Sequence, residues 1–363
     1  MIDASRPDAP PRRVTLSAGE TVADAARKAI AFGAESLMRH QGAAESGEVE
    51  PLHQLRVSTR RLRGTVELFS NVIYAGQLKI LRRDLPWLGA QAGAVRECDI
   101  TSSLISARAA RIDPELKAAI APILDALDDR RIVEHEKLHE VLGSRRYRSL
   151  LARLSKPAIK KLGADRRLGI VAAQLVRPAA RGASRFGEKI ADDAPATVFH
   201  KLRVRIKRLR YDLDMIAPLG AKRHKKALGR LEELQELLGL YHDVTVASAW
   251  LLSYAETSAA PPRTLLAAGA LIQSLGSREK KLRRQAMRAW RRFERSDAMH
   301  DTLEEIRRAG KLSLKPVTSP APIAENSEPE PPNQSPIAGD EIADPPSSDH
   351  ESIDSHSAAE TNP

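Results

Sequence analysis

Apolar residues recur every three or four positions along most of the chain, which is the spacing of one face of an α-helix. A clear example begins at Pro51, a residue that suits the first turn of a helix, and continues with Leu55, Thr59, Leu62, Val66 and Phe69. No segment has a convincing strand pattern, and aromatic residues make up only 4% of the chain. The pattern therefore predicts an all-α protein.

The polar face of this predicted helix is cationic. His53, Arg56, Arg60 and Arg63 occupy positions i, i+3, i+7 and i+10, so they share one face. The same eleven-residue segment returns 147 positions later (200 − 53), with seven residues identical. Its cationic row is His200, Arg203, Lys207 and Arg210. This repetition indicates an internal duplication.

Both rows lack compensating acids. No Asp or Glu occurs between positions 53 and 66 or between 200 and 211. Like charges three or four positions apart on a helix repel each other, so each row weakens its own helix unless an anion binds there. One such row is also typical of a solvated basic face, but two copies in the same register indicate a polyanion site.

The helical pattern divides the chain into two similar halves. We predict a first four-helix bundle over residues 19–157, a joint over 158–169 and a second four-helix bundle over 170–312. The Pro- and Arg-rich residues 1–18 and the Pro-, Ser- and acid-rich residues 313–363 are predicted to be disordered. The predicted fold class is two four-helix bundles related by internal duplication, with a disordered acidic tail.

In each half, the helix after the basic one is predicted to end at a glycine, Gly93 or Gly239, and to be followed by a turn. These turns carry three acids, Glu97, Asp99 and Asp243. In an antiparallel bundle they return to the level of the histidines, so we expect a carboxylate to orient His53 or His200 and to favour its protonated form. The alternative is that the acids only cap the following helix.

Charge is unevenly distributed. The chain of 363 residues has a net charge of +11, but residues 316–363 contain ten acids and no Lys or Arg. Residues 1–315 therefore carry 58 basic against 37 acidic residues (47 − 10), or +21. Such a basic folded part indicates an anionic partner. The acidic tail would act as a solubiliser, as an intramolecular competitor for the basic face, or as a plain disordered segment.

Other features of the composition concern the compartment. Cys98 is the single cysteine, which excludes an intrachain disulfide and fits a reducing cytoplasm. The first residues have no signal-peptide core, and no window approaches the roughly 20 apolar residues of a membrane span. We expect a soluble cytoplasmic protein.

Four segments together resemble the CHAD domain family, named for a conserved histidine in an α-helical domain. They are residues 53–63, 93–100, 142–151 and 200–211. The resemblance covers roughly residues 19–310, in two copies. It implies two four-helix bundles related by a pseudo-twofold axis, with basic helices facing a shared groove. It also implies binding of inorganic polyphosphate, often at polyphosphate granules.

Matched position by position, the resemblance implies a set of polyphosphate-binding residues on the basic helices, the helices that follow them and the two turns. They are His53, Arg56, Arg60, Arg61, Arg63, Lys79, Arg82, Arg83, Arg96, His200, Arg203, Lys207, Arg208, Arg210, Lys222, Lys225, Lys226, Arg230 and His242. Glu97, Asp99 and Asp243 would be supporting carboxylates. The turns depart from the Arg-Asp that is frequent in the family, and no E-x-E-x-K signature of a triphosphate-tunnel domain is found, so we predict a stand-alone binding module.

The chemistry of the two rows suits polyphosphate. This polymer is a flexible line of charges without bases, and it needs rows of cations with forked guanidinium donors. Binders of single-stranded nucleic acid usually interleave aromatic residues for base stacking, and here only Tyr211 lies beside the rows. Non-specific binding of nucleic acid stays the alternative, because it needs little beyond charge.

Two enzyme hypotheses compete with binding. His135 and His139 frame an H-E-x-x-H motif, as in zinc proteases, but a third ligand is not evident. A phosphoanhydride hydrolase would need clustered carboxylates for metal, and the acids near the groove are few and split between the halves. We therefore expect a non-catalytic protein without cofactor or metal. The resemblance implies that it associates with polyphosphate granules, and we expect no association with a membrane.

Overall fold

The computed structural model describes residues 14–160, 164–191, 193–216, 219 and 224–312. Eleven α-helices are described: α1 Val22–Glu45, α2 Val49–Leu68, α3 Ala75–Ala109, α4 Pro114–Lys117, α5 Ala121–Gly143, α6 Arg145–Ser155, α7 Leu168–Gly187, α8 Ala196–Ile216, α9 His224–Thr257, α10 Pro262–Glu294 and α11 Ala298–Leu312. Within the described ranges there is no strand, only two isolated bridges. The all-α prediction is confirmed, while the tail lies outside the described residues.

The helices follow the same order in both halves. In the first half α1 packs against α2, α2 against α3, and α3 against α5. In the second half α7, α8, α9 and α10 pack in the same succession. A shorter helix completes each bundle, since α6 packs on α1 and α11 packs on α7. Two bundles of four long helices, each with a short additional helix, are thus the product of the duplication.

Capping residues fix where several helices begin. The Thr21 side chain accepts a hydrogen bond of 3.1 Å from the Asp24 N–H at the start of α1. Ser144 does the same for the Tyr147 N–H at 3.1 Å, so the boundary between α5 and α6 falls at this serine. A capping side chain satisfies a backbone donor that the helix itself leaves unpaired. Local sequence therefore sets these helix starts.

The first described residues belong to the folded body. Leu16 is buried, and the Ala18 carbonyl accepts a hydrogen bond of 2.9 Å from the Gly169 N–H at the start of α7. This differs from the prediction of a disordered segment over residues 1–18. The prediction followed the Pro- and Arg-rich composition of residues 1–13, which lie outside the described part. It gave too little weight to the short apolar segment that follows residue 13.

The long helices α3 and α9 correct another prediction. Each runs without a break through the glycine at which we expected it to end, Gly93 in α3 and Gly239 in α9. A glycine inside a helix costs only about 1 kcal/mol relative to alanine. Buried residues on both sides of it, such as Leu88 and Val95 in α3, outweigh that cost. Glu97, Asp99 and Asp243 therefore lie inside helices, and they neither form turns nor cap a helix start.

The two halves meet through equivalent helices. Contacts between them join α2 to α8 and α3 to α9. At the first contact Gly64 faces Tyr211, and a Cβ atom on this glycine would lie 3.6 Å from the Tyr211 Cβ. These two positions are themselves equivalent in the duplication (211 − 147 = 64). The pairing of like helices brings the two cationic rows to the same place.

Among the described residues, no helix is both long and apolar enough to span a bilayer.

Candidate anion-binding site

The cationic rows of α2 and α8 face each other between the halves. Arg60 of α2 reaches the Tyr211 ring of α8, with its guanidinium carbon 5.4 Å from the ring centre. Burial, followed by the nearby charges of Arg60 and Arg203, lowers the pKa of Arg56. The two rows predicted from sequence therefore form one cluster. We call this cluster, together with the residues that α3 and α9 add to it, the groove.

A cavity of about 60 Å³ lies at the centre of the groove. Most of its lining consists of pairs that the duplication relates: Arg56 with Arg203, Arg96 with His242, Glu97 with Asp243, and Ile100 with Val246. The last three pairs share one offset (242 − 96 = 146), as do Gly93 and Gly239. The cavity therefore lies where the halves meet symmetrically, and each half contributes the same kinds of side chain.

Several guanidinium groups in the groove each have a buried donor without an acceptor. The buried Nε atoms of four arginines lack a hydrogen-bond partner within the protein, namely Arg56, Arg60, Arg96 and Arg203. An unsatisfied buried donor costs about 1–3 kcal/mol, and more when it is charged. An external anion would supply the missing acceptors.

The pKa values of the groove residues report its positive potential. Burial, with the charges of Arg203, Arg60 and Arg56, lowers the pKa of Lys207 to about 6. Burial and neighbouring cations lower the pKa of His242 to about 4 and that of Arg56 to about 10. Desolvation disfavours a charged group, and like charges add to the effect. The groove therefore holds more positive charge than it can stabilise alone.

Asp243 is a groove carboxylate that lies among these cations. Burial raises its pKa, while Arg203, Lys207 and Arg56 act in the opposite direction. Its counterpart Glu97 also lines the cavity but pairs with Arg130 of α5 at 3.3 Å. One partly compensating carboxylate among several cations leaves the groove strongly basic.

The predicted pairing of histidine with carboxylate is wrong. The His200 ring contacts the His242 ring, with centroids 4.8 Å apart. Burial, Arg203 and Lys207 lower the pKa of His200, so its neutral form is favoured. Burial, followed by the charge of Arg96, likewise lowers the pKa of His53. Glu97 and Asp243 do line the same cavity as His242, but burial and neighbouring arginines lower the pKa values of His53 and His200.

Asp99 also pairs with cations and not with a histidine. Its carboxylate accepts a hydrogen bond of 2.7 Å from the Arg131 Nε, and Arg96 lies 3.5 Å away. Asp99 does not line the central cavity, whereas Glu97 and Asp243 do. Of the three predicted supporting carboxylates, the structure thus places two at the centre of the groove.

Other predicted binding residues have acidic or amide partners. Arg82 makes a two-pronged contact with Glu67 at 2.7 and 2.8 Å. Arg83 bonds to Asp84, Arg208 lies 3.7 Å from Asp212, and Arg210 bonds to Gln235 and Glu232. The charges of these four cations are already partly neutralised within the protein. They are therefore weaker candidates for anion binding than the residues that line the central cavity.

The remaining predicted residues lie at the surface or outside the description. Arg61, Arg63, Lys79, Lys225 and Lys226 are exposed, and Arg230 is half-buried with one unpartnered Nη1. Lys222 lies outside the described residues. The structure does not bring the exposed group into the central cavity.

Sequence reasoning missed several residues of the cavity wall. Gly93, Ile100, Thr101 and Val246 line it beside the charged groups. The constant offset of 146 between α3 and α9 would have paired Ile100 with Val246, because it relates every position of the two helices.

The H-E-x-x-H motif lies on α5, away from the groove residues. His135 contacts the Ala44 carbonyl, with 3.2 Å between the ring Nε2 and the oxygen. His139 is exposed. Within the described residues, no group of three or more His, Cys, Asp or Glu side chains could hold a metal ion. The motif therefore contacts the C-terminal end of α1 through His135.

Comparisons with known proteins agree with this geometry. A family model for the CHAD domain matches residues 28–252, more than half of the chain. The structure is similar to the CHAD domain of the plant Ricinus communis, at 25% identity and a TM-score of 0.63, over 77% of this chain and 96% of that one. It is also similar to PptA from Streptomyces chartreusis, at 17% identity and a TM-score of 0.63, over 75% and 100% of the two chains. The second likeness shows the fold alone, and no curated protein matches the sequence. The chain belongs to the CHAD domain family.

Proposed function

We propose that this protein binds inorganic polyphosphate in the groove between α2 and α8 and has no catalytic activity of its own. The observation that carries the proposal is the set of buried arginine donors without acceptors. Arg56 and Arg203 are equivalent in the duplication and line the same cavity, and the Nε of each is unpartnered. Phosphate oxygens match guanidinium donors in geometry and charge.

The aromatic content of the groove favours a polymer without bases. Arg60 and Arg210 lie over the Tyr211 ring, with their guanidinium carbons 5.4 and 4.7 Å from its centre. This ring is also buried. It is therefore a support for arginines, whereas a binder of single strands exposes its aromatic rings to the bases.

The proposal of a non-catalytic protein follows from the charge around the carboxylates. Metal-dependent hydrolysis of a phosphoanhydride needs acids that hold divalent cations. Asp243 stands among Arg203, Lys207 and Arg56, which would repel a cation. Glu97 is held by Arg130. We also propose that the protein associates with polyphosphate granules, which co-localisation of a fluorescent fusion with stained granules would test.

A competition titration of the full chain tests the binding function. Long-chain polyphosphate is compared with single-stranded RNA and duplex DNA of matched total charge at several salt concentrations. We expect polyphosphate to bind at least about tenfold more tightly than either nucleic acid and its affinity to fall steeply with salt, because counterions are released. The polymer is recovered afterwards and sized on a gel.

Two variants give the titration its specificity. The groove variant combines Arg56→Ala and Arg203→Ala. The control removes three exposed charges from α6 by Arg145→Gln, Arg148→Gln and Arg153→Gln. We expect the groove variant to lose most of the affinity and the control to retain it. Equal affinity for all polyanions would favour the non-specific nucleic-acid function, and a shortened polymer would show that the protein is an enzyme.

A further inference from the structure

Beyond the groove, the two halves differ most in their fourth long helices. Residues 278–294 of α10 contain eight Lys or Arg and two Glu. The equivalent helix of the first half, α5, contains three Lys or Arg and six Asp or Glu over residues 121–143. Like charges on one helix repel each other, so the α10 segment weakens its own helix unless an anion compensates it.

The cations of α10 form a row along one face. An open depression of about 620 Å³ is lined by Lys280, Arg283, Arg284, Met287, Arg288 and Arg291. Five of these six residues are cationic and none is acidic. Eleven positions of a helix span roughly 17 Å at 1.5 Å per residue. We call these five cations the α10 row.

The α10 row packs against residues that adjoin the groove residues in sequence. The guanidinium carbon of Arg283 lies 5.4 Å from the centre of the Phe199 ring, and this ring lies 5.1 Å from the Tyr241 ring. Phe199 and Tyr241 directly precede His200 and His242, whose rings contact each other in the groove. Arg283 therefore packs against buried rings whose next residues in sequence are the two histidines of the groove.

Arg283 is also an unsatisfied donor. Its Nε and Nη2 atoms are buried and have no hydrogen-bond partner within the protein. Arg278, one turn earlier on α10, has a buried unpartnered Nε as well. A row of solvated surface cations would not leave buried donors without acceptors, because water would satisfy exposed ones.

In the first half, acids of α3 pair with cations of the corresponding helix, α5. Arg130 and Arg131 of α5 pair with Glu97 at 3.3 Å and with Asp99 at 2.7 Å. In the second half Thr245 occupies the position of Asp99 (99 + 146), so that carboxylate is missing. The two arginines of α5 are therefore paired, whereas Arg283 of α10 keeps two buried donors without a partner within the protein.

We propose that the α10 row is a second anion-binding segment, continuous with the groove, which binds the phosphates of linear polyphosphate chains that are too long for the groove alone. The proposal rests on the proposed function. It adds a preference for long chains and a path for the bound chain, from the groove along α10. A segment joined to an already bound one binds at high effective concentration, so each additional contact raises the affinity of long chains only.

A comparison of two chain lengths tests this proposal. The variant Lys280→Gln/Arg284→Gln/Arg288→Gln changes three exposed cations, which keeps the packing of α10 intact. Its affinity for long-chain polyphosphate and for tripolyphosphate is measured by calorimetry at several salt concentrations. We expect a loss of about five- to twentyfold for the long chain and a salt slope lower by about two, since fewer counterions are released. Tripolyphosphate should bind as to the natural protein.

The Arg145→Gln/Arg148→Gln/Arg153→Gln control removes the same number of charges from α6, and it should change long-chain affinity by less than about twofold, because distant charges are screened by salt. A loss in the α10 variant no larger than in this control would overturn the proposal. An equal loss for both chain lengths would overturn it as well. The Arg56→Ala/Arg203→Ala variant separates the two proposals, since undiminished tripolyphosphate binding there contradicts the groove and not the α10 row.

Discussion

The first and second halves bring the same cationic helix to the groove but surround it with opposite charge. In the first half, acids of α3 neutralise the cations of α5, as Glu97 and Asp99 show. In the second half, Arg283 of α10 has buried donors without partners. The duplication therefore kept the cationic rows of α2 and α8, while the fourth long helices α5 and α10 diverged in charge.

The halves also differ in how they treat a buried aspartate. Asp84 in α3 is nearly inaccessible and accepts hydrogen bonds from Arg83 and Arg146, the latter at 2.7 Å. Burial raises its pKa, but these two arginines outweigh burial and hold the pKa below its usual value. Asp212 in α8 is 1% exposed and has Arg208 at 3.7 Å, which is longer than a hydrogen bond. Burial therefore raises its pKa to about 7.

The largest expected effect comes from removing the well-paired aspartate, Asp84. Asp84→Ala leaves Arg146 without its partner beside Trp87, whose ring centre lies 4.0 Å from the guanidinium carbon. Removing one member of a buried pair is strongly destabilising, and because both arginines are partly exposed we expect a loss of about 2–3 kcal/mol. Urea unfolding measures it. The exposed Asp128→Ala serves as the control, and a similar change in both variants would count against the importance of the pair.

The poorly paired aspartate should behave in the opposite way. Because the folded state raises the pKa of Asp212 above that of the unfolded chain, its contribution to stability is present at low pH and is lost as pH rises toward 7. Asp212→Asn should therefore raise the free energy of unfolding at pH 8 by about 1–2 kcal/mol and have little effect at pH 4. Thermal unfolding at the two pH values measures this. A destabilised Asn variant at pH 8 would mean that the contact with Arg208 dominates.

A difference at one equivalent pair of positions should appear in the pH dependence of binding. Arg60 of the first half corresponds to Lys207, whose pKa is about 6 in the free protein. Polyphosphate binds the charged form, so its affinity should rise by about fivefold as pH falls from 8 to 6, the range in which Lys207 becomes protonated. Lys207→Arg makes the halves alike and should flatten this dependence. Calorimetry across the range measures it, and an unchanged slope in the variant would assign the effect to other groups.

The smallest expected effect comes from a substitution that makes the first half resemble the second. Glu97→Gln releases Arg130, whose pair with Glu97 is partly exposed, so stability should change by less than about 0.5 kcal/mol. Polyphosphate affinity should rise about two- to threefold, because the groove gains one positive charge. The control is Glu115→Gln on α4, measured in the same titration. Weaker binding in the Glu97 variant would show that this carboxylate supports the groove.

Residue periodicity and repetition were sufficient for the helical class, the duplication and the cationic rows. They depend on local spacing, which sequence records directly. The ends of α3 and α9 could not be predicted, since the small local cost of Gly93 and Gly239 is outweighed by packing on either side. A local rule fails where tertiary contacts decide.

The sequence identified which residues of the site are charged, but it did not identify the partners with which they pair. Sequence showed Arg82 as a cation, but its pairing with Glu67 depends on how α2 and α3 pack. The histidines were misjudged for two reasons: the local effect of Arg203 on His200 was overlooked, and His242 comes to His200 only in the fold. The α10 row was visible as composition, yet its position beside the groove requires the contact between Arg283 and Phe199.

The most direct test is a crystal structure of the full chain with tripolyphosphate. Tripolyphosphate is short enough to occupy the groove without the α10 row. The account predicts phosphate oxygens within hydrogen-bond distance of the Nε atoms of Arg56 and Arg203, the equivalent donors that lack acceptors in the free protein. Tripolyphosphate bound elsewhere, with these two donors still unpaired, would contradict it.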